Sequence, residues 1–349
     1  MNLGKLNMNE KLLSIIIPAY NIEAYIEKAV NSLLIKDIDK LDILIINDGS
    51  LDNTLSLAKK YECLYPESIR VVNKENGNYG SCINIGLEIA KGKYVKILDG
   101  DDYFDNNSFS EYIKKLSKVS DEVDVVLTKY QIVDSQGNTS RVVNMNAKYN
   151  SVIPINKLSC IDQLQHHAIT YRLDKLKELG YKQTIGISYT DQEWISIPLF
   201  IMQNAYYLDT PPLYCYLIGR DGQSMDPKVI IKQTSNMVKV LKNMVISYEK
   251  YKNDYPFNTL SVLEKIQLFA SYVYSLFIIK NNKQLNEEVI IEFDSWLKDY
   301  SIDVYRKLNQ CIYSKKIKFE FIRKWRKHSS SIPFFRFIIN TYYNFKGWN

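Results

Sequence analysis

Residues 94–102 read Tyr94-Val95-Lys96-Ile97-Leu98-Asp99-Gly100-Asp101-Asp102. A short apolar run stops in a turn that carries three carboxylates, which is the pattern of a buried strand ending in a loop. Carboxylates two residues apart on such a turn are spaced to share one divalent cation with two phosphate oxygens, and Mg²⁺ and Mn²⁺ favour that mixed coordination. Lys96 is out of keeping with its neighbours, because a charge inside a buried strand is costly without a partner. Acidic turns are common, so what surrounds this one decides its meaning.

Upstream the same pattern repeats. Apolar runs at 13–17, 43–46 and 70–72 alternate with helix-period segments at 22–34, 52–63 and 82–90. This alternation predicts βαβ units and a Rossmann-like α/β fold, a mainly parallel sheet with helices on both faces. Pro18, Asp48-Gly49-Ser50 and Asp99-Gly100-Asp101-Asp102 each follow a strand. Ligands of such sheets bind beyond the carboxyl ends of the strands, so the three clusters are expected to converge.

Downstream the pattern changes. Segments 123–128, 130–133 and 140–143, with the turn Ser135-Gln136-Gly137-Asn138, predict a hairpin or meander. From residue 228 the apolar spacing is helical, over 229–248, 259–280 and 286–300. The expected organisation is a tail at 1–11, a catalytic α/β domain at 12–225 and a helical C-terminal domain at 226–349.

Composition narrows the classes. With 349 residues, 46% of them hydrophobic, the chain can build its core without metals or disulfides. Five scattered cysteines with no CxxC pair read as reduced thiols, not as a disulfide framework or zinc site. The polar N-terminus lacks a signal-peptide pattern, and no apolar stretch is long enough to span a bilayer. A cytoplasmic protein is expected, soluble or peripheral on the inner face of the membrane. The net charge of +6 is mild but uneven. Over residues 315–349 nine lysines and arginines accompany one acid, Glu320, and aromatics such as Phe321 and Trp325 interleave with them. A basic aromatic helix there suits an anionic membrane surface; the alternative is a helix packed on the domain or on a second copy. No nucleic-acid module accompanies the basic segment, so nucleic acid is not an expected partner.

Read alone, Asp48 is either an acceptor for a base N–H or part of a tight turn, and Asp52 caps the next helix. Tyr20 either stacks on a base or packs at the sheet edge. Together, SIIIPAYNIEAYI, ILIINDGSLDNT, NGNYGSCINIGLEIAKGKYVKILDGDD and GISYTDQEW resemble the family 2 glycosyltransferases of GT-A fold, over residues 12–224 and in the family's order.

The resemblance implies a metal-dependent, inverting transfer of one sugar from a UDP-sugar to an acceptor hydroxyl, in bacterial surface-polysaccharide or glycoconjugate synthesis. It implies a nucleotide pocket of Pro18, Ala19, Tyr20, Glu23, Asp48 and Asn78, with Tyr20 and Asp48 on the uracil. Asp99 and Asp101 become the Mn²⁺ or Mg²⁺ turn, Asp99 touching ribose or metal and Asp101 ligating directly. Asp102 supports that site or caps the next helix. Asp191 falls where the family keeps its catalytic base. The 214–224 segment resembles the family's domain-closing motif and puts Arg220 forward as a diphosphate clamp. His166 and His167 are either acceptor-side or phosphate-side groups or simply structural.

Two departures stand out. Asn47 replaces the first acid of a common Asp-Asp-Gly-Ser motif, and Ile83 stands where many members have Arg. Phosphate contact then falls to Arg220, Lys96 or Lys74. The processive QxxRW signature is absent, which favours single-sugar transfer to a glycan or lipid-linked acceptor. Two other classes compete. A nucleotidyltransferase would carry a Gly-rich basic loop where this chain has Pro18-Ala19-Tyr20-Asn21. A non-catalytic nucleotide- or glycan-binding partner subunit fits poorly with intact Asp99, Asp101 and Asp191. The donor sugar, the acceptor and the oligomeric state, including a homo-oligomer, stay open.

Overall fold

The structure is a computed structural model describing residues 11–146, 148–219, 226–278, 286–314, 317–327, 337 and 341. Contacts divide the chain into two compact units, Met1–Asp221 and Gly222–Asn349.

The first unit begins with the expected alternation. Strands β1 (Leu13–Ala19), β2 (Leu41–Asn47), β3 (Ile69–Asn73) and β4 (Tyr94–Ile97) are linked by helices α1 (Ile26–Asn31), α2 (Thr54–Leu64) and α3 (Asn78–Ile89). They pair in parallel in the order β3-β2-β1-β4. Every residue of β2 is buried, as befits a strand covered on both faces. Polar residues inside these strands find partners there: Ser14 Oγ donates to Asp42 at 2.7 Å, and Arg70 closes on the same carboxylate at 2.6 Å.

Helix α1 starts later than residue 22 because the preceding loop is fastened to the β2–α2 loop. Ile22 N–H donates to Thr54 Oγ1 at 2.9 Å, and Leu51 N–H donates to Asn21 Oδ1 at 2.8 Å. Asn21 holds a positive φ of 51°, a conformation Asn tolerates better than most residues.

Beyond β4 come β5 (Tyr103–Phe104), α4 (Asn106–Leu116), β6 (Val125–Leu127), β7 (Tyr130–Val133), β8 (Thr139–Val143) and β9 (Val152–Pro154). Then follow β10 (Ile169–Arg172), α5 (Leu173–Leu179), α6 (Asp191–Ser196), β11 (Asn204–Tyr207) and β12 (Tyr214–Leu217). The central sheet reaches eight strands, in the order β3-β2-β1-β4-β10-β6-β11-β9. A second sheet runs β5-β12-β7-β8 and contains the expected hairpin as β7 and β8. The decisive insertion is β10. It lies antiparallel between β4 and β6, with Tyr171 opposite Val95. Extending that register brings the residues just before β10 level with those just after β4, which sets the geometry of the site.

The second unit contains α7 (Pro227–Lys232), α8 (Thr234–Tyr251), α9 (Thr259–Ile278), α10 (Glu288–Tyr300) and α11 (Ile302–Leu308). A hairpin follows, β13 (Ile312–Ser314) with β14 (Ile317–Glu320), and then α12 (Phe321–Lys327). The start of the basic segment is therefore a strand and not a helix: Ile317–Glu320 pairs antiparallel with Ile312–Ser314. The apolar side chains of α12 belong to the core: Phe321, Ile322 and Trp325 are buried. Arg326 donates to Asp294 at 2.5 Å and to the Tyr305 carbonyl at 2.7 Å. A buried carboxylate has to be paired this way, so this cation is structural. Arg323, Lys324 and Lys327 are exposed. Among the described residues, no helix is long and apolar enough to cross a membrane.

Candidate active site

The ends of β1, β2 and β4 converge as expected. Asp48 follows β2 and is buried; its amide donates to the Ala19 carbonyl at 2.8 Å. Its carboxylate accepts from Gly77 N–H at 2.9 Å and pairs with the Lys74 ammonium. Lys74, a candidate for phosphate contact, is thus engaged at the foot of α3. Tyr20 is 48% exposed, with its ring free of the core, while Pro18 and Ala19 close the end of β1. Glu23 is exposed and its carboxylate accepts from Asn53 N–H at 2.8 Å; Asp52 returns the contact by accepting from Glu23 N–H at 3.0 Å. The second Asp52 oxygen accepts from Thr54 N–H at 3.0 Å, at the start of α2. Asn78 opens α3 with a φ of 65°.

The acidic turn is held from several sides. Tyr79 OH donates to Asp99 Oδ1 at 2.9 Å, and Asp99 N–H donates to the Tyr214 oxygen at 3.1 Å. Gly100 is obligatory for packing: a Cβ there would lie 2.2 Å from Ile22 Cδ1 and 2.7 Å from the Pro18 carbonyl oxygen. The turn therefore rests directly on the end of β1. Asp101 is half-buried on the same turn. Asp102 is buried and accepts from Tyr214 OH at 2.7 Å and from Leu217 N–H at 2.8 Å. Burial first, and then Asp99, push its pKa well above the carboxylate range. Of its two expected roles, helix capping belongs instead to Asp105, which accepts from Ser108 N–H at 2.8 Å. Asp102 ties β12 to the acidic turn.

The register of β10 delivers a residue pair to this turn. His166 Nε2 lies 3.0 Å from Asp99 Oδ2, and the His167 ring lies tilted against the His166 ring with centroids 3.8 Å apart. Burial lowers the His166 pKa, but the Asp99 carboxylate outweighs it and the net shift is upward. His167, wedged among Tyr130, Tyr214 and Tyr216, is driven well below the ordinary value by burial and then by His166. Beneath them Lys96 has no exposure and its Nζ donates to the carbonyls of His167 at 2.8 Å and Ile169 at 3.1 Å. Lys96 is therefore not a phosphate contact. It answers its own burial by pinning the turn that carries the histidines, and burial pulls its pKa down to about 7.

Asp191 opens α6, within electrostatic reach of His166 and Asp99; burial raises its pKa, with His166 opposing. Thr190 precedes it without a side-chain cap, and Gln192 Nε2 donates to Asp191 Oδ2 at 3.0 Å. Two residues earlier Tyr189 holds a φ of 67°, a strained conformation for an aromatic residue of the kind that gathers at functional sites. The loop before it is sewn to α3. Asn84 and Gln183 exchange two bonds of 2.8 Å, side chain to backbone in both directions, and Gly186 N–H donates to the Gly77 carbonyl at 3.0 Å. Arg220 lies outside the described residues.

The residues fit a small divalent cation. Ligand atoms of Asp99, His166 and His167 lie within 4.8 Å of one another. His166 Nδ1 and both His167 ring nitrogens are buried without a hydrogen-bond partner among the described residues. Tyr79 and Tyr214 were not singled out as site residues; their only sequence signal is membership of the quoted 76–102 and 214–224 stretches.

The family model described as glycosyl transferase family 2 matches residues 14–180. An uncharacterized glycosyltransferase of Rickettsia conorii is 35% identical over 154 residues, 44% of this chain and 24% of that protein. The minor teichoic acid biosynthesis protein GgaB of Bacillus subtilis is 26% identical over 258 residues, 68% of this chain and 28% of that protein. The chain thus spans about a quarter of the length of these relatives. Residues 1–349 of S. aureus TarS, solved with UDP-GlcNAc, superpose with a TM-score of 0.69 at 19% identity, covering 95% of this chain and 92% of that one. At that identity the likeness establishes the shared fold.

Proposed function

Since residues 14–180 are a family 2 glycosyl transferase domain of GT-A fold, we propose that the chain transfers one sugar from a UDP-sugar to an acceptor hydroxyl, with inversion, in the synthesis of a bacterial cell-surface polymer. The observation that carries this reading is the convergence of Asp191 with the Asp99–His166 pair beyond the ends of β1, β2 and β4. A UDP-sugar is favoured by the UDP-GlcNAc held by TarS, and a surface polymer by the teichoic acid role of GgaB. Exposed Tyr20 is the proposed base-stacking face, with Asp48, Pro18, Ala19, Glu23 and Asn78 around it.

Asp191 takes the acceptor proton as the acceptor oxygen bonds to the anomeric carbon. The bond from that carbon to the diphosphate oxygen breaks, and the electron pair leaves with UDP. A base raised by burial suits this work, because proton transfer is most effective when the pKa approaches the working pH. Asp99 and Asp101 would hold a Mn²⁺ or Mg²⁺ ion, which supplies neutralisation of the departing diphosphate. Arg220 is proposed as a further diphosphate contact. The exposed cations of α12 suit an acceptor anchored at an anionic surface.

The test is turnover and binding of UDP-, GDP- and dTDP-sugars with Mn²⁺, with Mg²⁺ and with EDTA, on wild type and Asp101→Ala. Metal-dependent turnover of a UDP-sugar, lost in the variant, is the expected result. Binding of no nucleotide-sugar would return the chain to the class of non-catalytic partner subunits.

A further inference from the structure

We propose that the divalent cation of this site is seated on a mixed oxygen–nitrogen pair, Asp99 and His166, with the imidazole Nε2 of His166 a direct ligand. The inference rests on the metal-dependent reading above and adds to it a nitrogen ligand from outside the acidic turn.

Three observations carry it. His166 Nε2 and Asp99 Oδ2 are 3.0 Å apart, and two ligands at right angles on an ion with bonds of about 2.1 Å are about 3 Å apart. The pair thus already has the spacing of one edge of an octahedron. Next, the donors are buried and gathered: His166 is 7% and His167 6% exposed, and ligand atoms of Asp99, His166 and His167 lie within 4.8 Å of one another. Last, the ligand is rigid. Lys96 pins the carbonyls on either side of Ala168, and His167 and Tyr214 pack against the His166 ring. Tyr79 fixes the other oxygen of Asp99. A first ligand set held by such outer contacts is how proteins fix metal geometry.

Two consequences follow. Imidazole suits transition ions while Mg²⁺ prefers all-oxygen surroundings, so Mn²⁺ binds more tightly than Mg²⁺ in the absence of donor. Metal binding also displaces any proton from His166.

The experiment is electron spin-echo envelope modulation of Mn²⁺ added to the full chain, with and without UDP. Natural-abundance protein should show ¹⁴N modulation, and ¹⁵N-histidine labelling of the wild type should replace it, which needs no variant. Of the three histidines, only His166→Gln should abolish it, with Mn²⁺ affinity falling at least about tenfold. Bound Mn²⁺ with no histidine modulation would mean carboxylates alone hold the ion; the proposal would fall and the transferase reading would stand. Modulation that survives His166→Gln would assign a different histidine and overturn it equally. If no Mn²⁺ binds even with UDP, metal dependence itself fails along with this seat.

Discussion

Replacing Lys96 by Met should change how stability depends on pH. Lys96 is fully buried in β4, and burial pulls its pKa down to about 7. In the unfolded chain the same amine titrates near 10.4. Between these values the unfolded state binds a proton that the folded state has released, so the folded state gains stability as pH rises through that window. Below pH 7 both states are protonated and the contribution is flat. From pH 7 to pH 9 the gain is about 2 kcal/mol, approaching about 1.4 kcal/mol per pH unit above the folded pKa. Methionine has similar length and does not titrate, so the Lys96→Met variant lacks this term. It also leaves the carbonyls of His167 and Ile169 without their donor, a roughly pH-independent cost of about 1–3 kcal/mol each. Urea denaturation of both proteins in EDTA, at intervals from pH 6.5 to pH 9, isolates the effect as a difference of differences. The wild type should gain on the variant by about 2 kcal/mol across the range. Parallel curves would mean that Lys96 keeps its ordinary pKa, and the account of a desolvated amine under the histidine turn would be wrong.

Three further outcomes are expected. Gly80→Ala would put a Cβ 2.0 Å from the Thr184 carbonyl oxygen, so α3 and the 183–186 loop must separate. Stability should fall by about 1–3 kcal/mol in thermal melts, and turnover should fall with it. Arg326→Met would leave buried Asp294 without its cation, with the Tyr274 hydroxyl still donating to it, and destabilise the helical unit by about 3–5 kcal/mol, read by hydrogen exchange in α10 and α12. For Asp191, which must be ionised to accept a proton, kcat/KM should drop as pH falls through a pKa that burial has raised from the ordinary aspartate value. Asp191→Asn should lower kcat by about 10²–10⁴ while nucleotide binding, followed by calorimetry, persists.

Much of the first unit is legible in sequence because strands of one apolar residue after another have few other readings. Strands β1 to β4 and the three clusters at their ends follow from that. What periodicity misses is fastening by side chain to backbone. The β1–α1 loop is extended by Asn21, Glu23, Asp52 and Thr54, and these bonds delay α1 in a segment whose apolar spacing is already helical. The Asp99–His166 pair is hidden for a different reason. Its members are 67 residues apart, and they meet only because β10 inserts antiparallel beside β4. No local pattern announces where a strand will insert. Lys96 was legible as an anomaly, yet its partners are backbone carbonyls, which carry no residue identity. The hairpin before α12 was overlooked because basic and aromatic residues over 315–349 suggest an amphipathic helix.

The seam between α3 and the 183–186 loop has a consequence for how such an enzyme could be altered. Gly77, Gly80 and Asn84 each meet that loop through its backbone, so its root is fixed whatever side chains it bears. Variation can then be concentrated in residues 187–190, between a clamped base and the first turn of α6. Substitutions confined to those four positions would leave the Gly186–Gly77 and Asn84–Gln183 bonds in place.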